Sequence, residues 1–233
     1  EQTENAKFKA IINQISDERF TPEGWLHAEV LTGSLRSAGR GNTMYVGNVP
    51  RQFVLRHYRR GGLIGKLIRD TYVFSGADKT RSFREWRLLD KLAANNMRVP
   101  RPAAARYVQR GTFYTADIIT IRIPDIVPLS QYIADNDPDE EFWRRCGEAI
   151  FEFHAVGVYH ADMNAYNVQI DKDGLLWLLD FSDTLVTGSK TWAFERVFPQ
   201  LIREHNLPFD ARTFHDITLA AQQKANETGD DNA

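Results

Sequence analysis

YHADMNAYNVQI, residues 159–170, is the stretch on which the reading of this chain turns. It gathers His160, Asp162, Asn164 and Asn167 in otherwise apolar sequence, and polar side chains buried without partners are costly. Downstream, Val168–Ile170 and Leu175–Leu179 read as short strands joined by a tight turn at DKDG, residues 171–174. Asp180-Phe181-Ser182 follows. A hairpin brings its ends together, so Asp162, Asn167 and Asp180 are expected to converge on one cleft. Three oxygen-donor side chains suit Mg²⁺, and a carboxylate beside them can take a proton from a hydroxyl. Metal, base and positioned phosphates are what phosphoryl transfer requires.

Plainer readings stand beside this one. Asp and Asn in turns commonly cap the backbone, and a motif counts only in its structural context. His160 reads as a residue that holds the loop rather than as a proton shuttle. His154 is expected on the core side of the preceding helix. A zinc site from His154, His160 and Asp162 is the competing metal reading, weakened by the lack of further histidines close by.

That preceding helix is expected to start at Asp137-Pro138, with Asp137 as N-cap and Pro at the first helical position. Phe142, Cys146, Ala149, Ile150 and Phe153 form its apolar stripe, and Gly157 suits a C-cap. Further helices are expected at 191–205 and 211–226. Upstream, RIPDIVP (122–128) reads as a linker. Before it lie expected strands at Trp25–Leu31, Thr43–Val46, Gln52–His57, Ala104–Gln109 and Thr112–Ile121, the last two joined by a turn at Arg110-Gly111. Residues 79–94 are helical, with Phe83, Trp86, Leu89 and Leu92 at helical spacing.

Composition narrows the function classes. A net charge of -2 and a pI near 6.3 argue against a wholesale nucleic-acid binder. One cysteine, Cys146, excludes a disulfide framework and any CxxC zinc pattern, which suits a reducing compartment. EQTENAKFKAII has no apolar core of a signal peptide, and no run approaches membrane-spanning length, so any membrane contact is expected to be peripheral.

The pattern H-x-D-x-x-x-x-N followed by D-F-x stands here as His160-Ala-Asp162-Met-Asn-Ala-Tyr-Asn167 and Asp180-Phe181-Ser182. It resembles the catalytic and metal-binding loops of the protein-kinase-like superfamily, with Ser182 where Gly is usual. The resemblance implies an α+β, protein-kinase-like two-lobed fold: an N-terminal antiparallel sheet plus one helix, and a mostly helical C-terminal lobe. Residues 1–121 would be the phosphate-binding N-lobe, 122–128 a hinge and 129–233 the C-lobe. Asp162 would be the catalytic base, with Asn167 and Asp180 the Mg²⁺ ligands.

TGSLRSAGRGNTMYV (32–46) would cover the phosphates, with Gly33, Gly39 and Gly41 letting backbone N–H groups approach. G-x-G-x-x-G is absent. Where the superfamily has a phosphate-binding Lys paired with a helix Glu, QFVLRHY (52–58) offers Arg56 and FREWRLL (83–89) offers Glu85. Arg grips phosphate bidentately and is always charged. Two alternatives stay open: His57 or Arg59 meets the phosphate instead, and Glu85 is a solvent-facing helix charge.

The segment after Phe181 is short and lacks A-P-E, which points away from a peptide substrate and toward a small or glycan acceptor. VLRHYRRGGLIGKLIRDTYVF (54–74), TRSFREWRLL (80–89), MRVPRPAAARY (97–107) and HADMNAYN (160–167) resemble the 3-deoxy-D-manno-octulosonic acid (Kdo) kinases of Gram-negative bacteria. Arg at the Lys position is then a family trait. The resemblance implies ATP as donor, the 4-hydroxyl of the Kdo residue of a Kdo-lipid A precursor as acceptor, and a peripheral place on the cytoplasmic face of the inner membrane. Lipopolysaccharide heptose kinases are the nearest alternative; a non-catalytic pseudokinase scaffold is another.

In RHYRRGGLIGKLIR (56–69) basic residues interleave with Leu63, Ile64, Leu67 and Ile68. Such a run suits an anionic lipid surface or an acceptor bearing carboxylates and phosphates. Arg59, Arg60, Lys66 and Arg69 are therefore assigned to the acceptor or membrane. A solvated charge run packed on the core is the plain alternative. No nucleic-acid partner is expected.

Overall fold

Antiparallel strand pairing builds the first half of the chain. The computed structural model describes residues 16–25, 28–30, 41–47, 52–59, 70–160, 163–181 and 185–186. The chain divides into two compact units, Glu1–Pro124 and Asp125–Ala233.

In the first unit β1 (Ala28–Val30), β2 (Gly41–Val46), β3 (Phe53–Tyr58), β4 (Tyr72–Val73), β5 (Pro102–Arg110) and β6 (Phe113–Ile121) form one antiparallel sheet. Its order is β1-β2-β3-β6-β4, with β5 on the other edge of β6. The two-residue β4 was not expected from sequence; it lies beyond the basic run and pairs Val73 with Phe113.

Alternate residues of β3 serve opposite faces. Phe53 and Leu55 join Phe20, Val46, Ala103 and Ile119 in a buried cluster, with Trp25 packed against it. Residue 103 is the extra residue of a β-bulge between Pro102 and Ala104, which frees it from the ladder. Trp25, expected to open a strand, instead closes a 3₁₀ turn over Pro22–Gly24: its N–H donates to the Pro22 carbonyl at 3.1 Å and its indole Nε1 to the Arg19 carbonyl at 2.6 Å. Gly24 is required there, since a Cβ would lie 1.9 Å from the Glu18 carbonyl oxygen.

The other face receives α1 (Arg81–Ala94), whose buried positions are Ser82, Glu85, Leu89 and Leu92. The expected stripe is rotated at its start: Phe83 and Trp86 are only half-buried. Polar residues enter the core because each finds a partner, Ser82 Oγ donating to the Arg106 carbonyl at 2.9 Å. α1 ends with Asn96 at φ 58°, in the left-handed region that Asn tolerates at a helix C-terminus.

The second unit contains β7 (Val127–Pro128), α2 (Leu129–Asp135), α3 (Glu140–Ala155), β8 (Val158–Tyr159), β9 (Val168–Ile170), β10 (Leu176–Leu178) and β11 (Leu185–Val186). Strands β10-β9-β7 form one antiparallel sheet and β11-β8 another. The end of the expected linker is thus strand β7, paired with β9. The helix α3 starts later than expected: Asp139, not Asp137, is its N-cap, accepting from the Phe142 N–H at 2.8 Å. Pro138 lies outside the helix. Phe142, Cys146, Ala149, Ile150 and Phe153 are buried, as is Trp143. The helices expected at 191–205 and 211–226 lie outside the described residues.

Candidate active site

In the first unit β3 and α1 bring together residues far apart in sequence. Arg56 and Tyr58, two positions apart, share the face of β3 turned to α1. Arg56 Nη2 donates to both oxygens of Glu85, each at 2.5 Å, and the Tyr58 hydroxyl donates to Glu85 Oε2 at 2.5 Å. The Arg56 guanidinium also lies 4.9 Å from the centre of the Tyr58 ring. Glu85 is 4% exposed, so it is not the solvent-facing charge of the alternative reading. A carboxylate so buried must be paired, and here it is.

His57 points the other way. Its Nδ1 is 2.7 Å from Asp117 Oδ1 and its Nε2 3.5 Å from Asp70. The hydrogen bond to Asp117 raises its pKa above the ordinary 6.5, against the opposing effect of burial. His57 is thereby removed from the face that carries Arg56. Arg59 is half-buried just past the end of β3. Gly41 opens β2 directly opposite Tyr58. Gly39, Arg60, Lys66 and Arg69 lie outside the described residues.

In the second unit the loop of the opening stretch is held mainly through backbone. Asn164 Oδ1 accepts from the N–H groups of Tyr166 at 2.9 Å and Asn167 at 3.0 Å, and its carbonyl accepts from Asn167 and Val168, each at 3.0 Å. This is the local Asx chemistry that makes Asn favourable in turns. The Asn167 carbonyl in turn accepts from the Leu179 N–H at 2.9 Å, and His160 Nε2 lies 2.7 Å from the Leu179 carbonyl. A carbonyl only accepts, so His160 Nε2 carries the proton. Leu179 is therefore gripped on both sides, which sets Asp180 beside the loop.

Phe181 anchors the far side. It is 2% exposed and packs edge-on against His160, ring centres 5.0 Å apart. Asp180 has φ 59°. A non-glycine residue there is uncommon, and such strain clusters at functional sites. Asn167 is 2% exposed. A carboxamide and a carboxylate offer oxygen donors, which fits a hard dication that keeps several waters and does not favour zinc. Among the described residues no group of three or more His, Cys, Asp and Glu is placed to hold a metal. His154 is buried in the core, and that burial lowers its pKa to about 4. Asp162 lies outside the described residues.

Sequence reasoning passed over Tyr58, while the plainer reading, that Asn in this turn caps the backbone, holds for Asn164. The signal for Tyr58 was available, since residues i and i+2 of a strand share a face.

Known proteins bear on this geometry in three ways. The chain is 40% identical over 216 residues to a 3-deoxy-D-manno-octulosonic acid kinase of Vibrio parahaemolyticus, covering 90% of each chain. It is 36% identical over 183 residues to the protein of that name from Vibrio cholerae, covering 78% of this chain and 77% of the relative. Among solved structures, the bifunctional kinase-methyltransferase WbdD aligns with a TM-score of 0.50 at 15% identity, over 87% of this chain. The chain spans 47% of that protein's length, and at this identity the likeness speaks for the fold alone, which is α+β and kinase-like. The model of the lipopolysaccharide kinase (Kdo/WaaP) family matches residues 29–224, and with the relatives named it shows that this chain belongs to that family.

Proposed function

We propose that this chain transfers the γ-phosphoryl group of ATP to the 4-hydroxyl of the Kdo residue of a Kdo-lipid A precursor, in building the lipopolysaccharide inner core. The observation that carries a catalytic reading is the buried Arg56–Glu85 pair, a cation fixed on a strand by a helix carboxylate. Kinases use that arrangement to orient nucleotide phosphates. The choice of Kdo as acceptor is supported by the relatives' names.

In this reading Arg56, held by Glu85, orients the phosphates, and Gly39 and Gly41 let backbone approach them. Asp162, placed by the H-x-D-x-x-x-x-N spacing, orients the acceptor hydroxyl and takes its proton. The hydroxyl oxygen bonds to the γ-phosphorus as the bond from that phosphorus to the β–γ bridging oxygen breaks, and ADP leaves. Asn167 and Asp180 are the residues that would hold Mg²⁺, which neutralises charge on the phosphates when bound. His160 fixes the loop rather than moving a proton, because its Nε2–H is committed to a backbone carbonyl.

Arg59, Arg60, Lys66 and Arg69 are assigned to the anionic acceptor and the surface of the inner membrane, on its cytoplasmic face. The proposed association is peripheral. No helix among the described residues is long and apolar enough to cross a membrane. The test is incubation with ATP, Mg²⁺ and a Kdo-lipid A precursor, with the new phosphate located by mass spectrometry and NMR. Phosphate at O4 of Kdo is expected. Phosphate only on a heptose-bearing acceptor would make the chain a heptose kinase, and ATP binding without transfer to either would make it a pseudokinase.

A further inference from the structure

The two faces of the first unit's sheet are finished differently. α1 packs on one, through Ser82 and its bond to Arg106. On the other, β6 presents Ile119, Asp117, Thr115 and Phe113 in turn, because alternate residues of a strand share a face. Residues 17–25 cover one end of that face. Phe20 packs with Ile119 and Leu55, and Arg106, beside Asp117, donates to the carbonyls of Asp17 and Phe20. The other end is open: Val73 is 63% exposed, Phe113 43% and Val108 36%.

These three residues are neighbours. Val73 stands directly opposite Phe113, and Val108 stands opposite Thr115, the next residue of β6 on the same face. A single exposed apolar side chain is ordinary, but a group of them on one face marks a surface that meets something other than water. The group sits at the tip of the β5–β6 hairpin, where residues 108–113 are all exposed. Gly111 turns the tip at φ 61°, and a Cβ there would meet nothing within 4 Å.

The charge around the tip identifies its partner. Arg110 is exposed and stands opposite Phe113 across the hairpin. Asp70 and Asp117 are both paired with His57, and Asp117 also with Arg106, so these acids are already met within the sheet. The chain reaches β4 through residues 59–69, which hold four basic and no acidic side chains. An apolar tip set in positive charge suits the boundary of an anionic bilayer, where apolar groups bury and cations stay among the head groups.

We propose that the surface formed by Val73, Phe113 and Val108, at the tip of the β5–β6 hairpin, enters an anionic lipid bilayer, with Arg110 among the head groups. The proposal rests on the peripheral association assigned above to the basic residues, and deepens it by naming the part of the fold that is buried in lipid. It involves neither ATP nor acceptor, so its test stands apart from the kinase reading.

The test uses the full chain and vesicles of phosphatidylethanolamine with about one quarter phosphatidylglycerol. Cys146 is the only cysteine, is buried, and has its thiol pKa pushed up to about 12 by that burial, so a thiol dye marks an introduced cysteine alone. An environment-sensitive dye on Val73→Cys should shift to the blue on these vesicles. The same dye on Asp90→Cys, exposed on α1 across the sheet, should not. Val73→Thr combined with Phe113→Thr, with folding checked by circular dichroism, should weaken co-sedimentation about tenfold or more and keep the wild-type KM for ATP. Arg110→Gln should weaken it about fivefold, an effect that high salt removes. Wild-type co-sedimentation of the double variant overturns the proposal, as do equal dye shifts at the two positions, and in either case the peripheral association survives. Failure of the wild type to bind these vesicles removes that association and the proposal with it. A dimer that the double variant loses, with vesicle binding unchanged, would make the surface a contact between copies of this chain and overturns the proposal too. Should the double variant not fold, Val73→Thr combined with Val108→Thr goes through the same assay, and unchanged co-sedimentation again overturns it.

Discussion

β3 carries two ionic networks, back to back, each built on a buried carboxylate. On one face Arg56 and Tyr58 meet Glu85 of α1. On the other, one residue along, His57, Asp117 and Arg106 stand side by side on β3, β6 and β5, in register across three strands. Asp117 takes His57 on Oδ1 at 2.7 Å and Arg106 Nη2 on Oδ2 at 3.0 Å. Arg106 continues to the carbonyls of Asp17 at 3.2 Å and Phe20 at 3.5 Å, and its guanidinium lies 4.8 Å over the Phe20 ring. Both central carboxylates are buried and both are paired with an arginine.

Burial and pairing alone therefore do not mark a working site. What separates the networks is the use made of the arginine. Arg106 ends on backbone carbonyls and ties the turn at Asp17–Phe20 to the sheet, as a clamp would. Arg56 ends instead on the carboxylate of a helix, and in the function proposed above it meets the nucleotide phosphates. One network is expected to govern turnover, the other stability.

The sharpest way to break that contrast is Glu85→Ala. It leaves Arg56, whose side chain is 11% exposed, without the Glu85 carboxylate, and loss of one partner of a largely buried pair costs up to about 3–5 kcal/mol. Urea denaturation should show that loss, and ATP turnover should vanish in protein kept folded at low temperature. Retained turnover would put Glu85 with the clamp.

Asp117→Asn probes the opposite face. The charge that holds His57 and Arg106 is removed, and a cost of about 1–3 kcal/mol is expected because both partners keep some solvent access. ATP KM in the folded protein should stay at the wild-type value. A rise in ATP KM would mean that the two faces are coupled through the strand.

The smallest effect is in the pH profile. The bond to Asp117 raises the pKa of His57 above 6.5. The charged form is thus favoured by folding, so this stabilisation is complete below about pH 6.5 and fades as pH rises through the folded-state pKa. Thermal midpoints from pH 6 upward should fall more steeply in the wild type than in His57→Gln. Parallel profiles would show that His57 bears no charge on the clamp.

The loop of the second unit was the more legible part of the candidate site. Its spacing, its flanking strands and Asn164, Asn167 and Asp180 lie within a short span, and its bonds are mostly local. The Asp139 cap was misplaced by two residues because Asp137-Pro138 carries the same signal, and only the Phe142 N–H distinguishes them. Strands β4, β7, β8 and β11 have two residues each, too few to show alternation. Each forms because a partner strand is there to pair with.

The sequence by itself determined the strands β3, β5 and β6, the helices α1 and α3, and the polar loop between helix and hairpin. These follow from side-chain periods and turn residues, which act over a few positions. Only the tertiary structure decided that Arg56 rather than His57 faces α1, that Glu85 is buried, and that Tyr58 completes their contact. Glu85 lies 29 residues from Arg56 and Asp117 lies 60 from His57. No local period relates such positions, and their meeting depends on strand order, register and the face on which the helix packs.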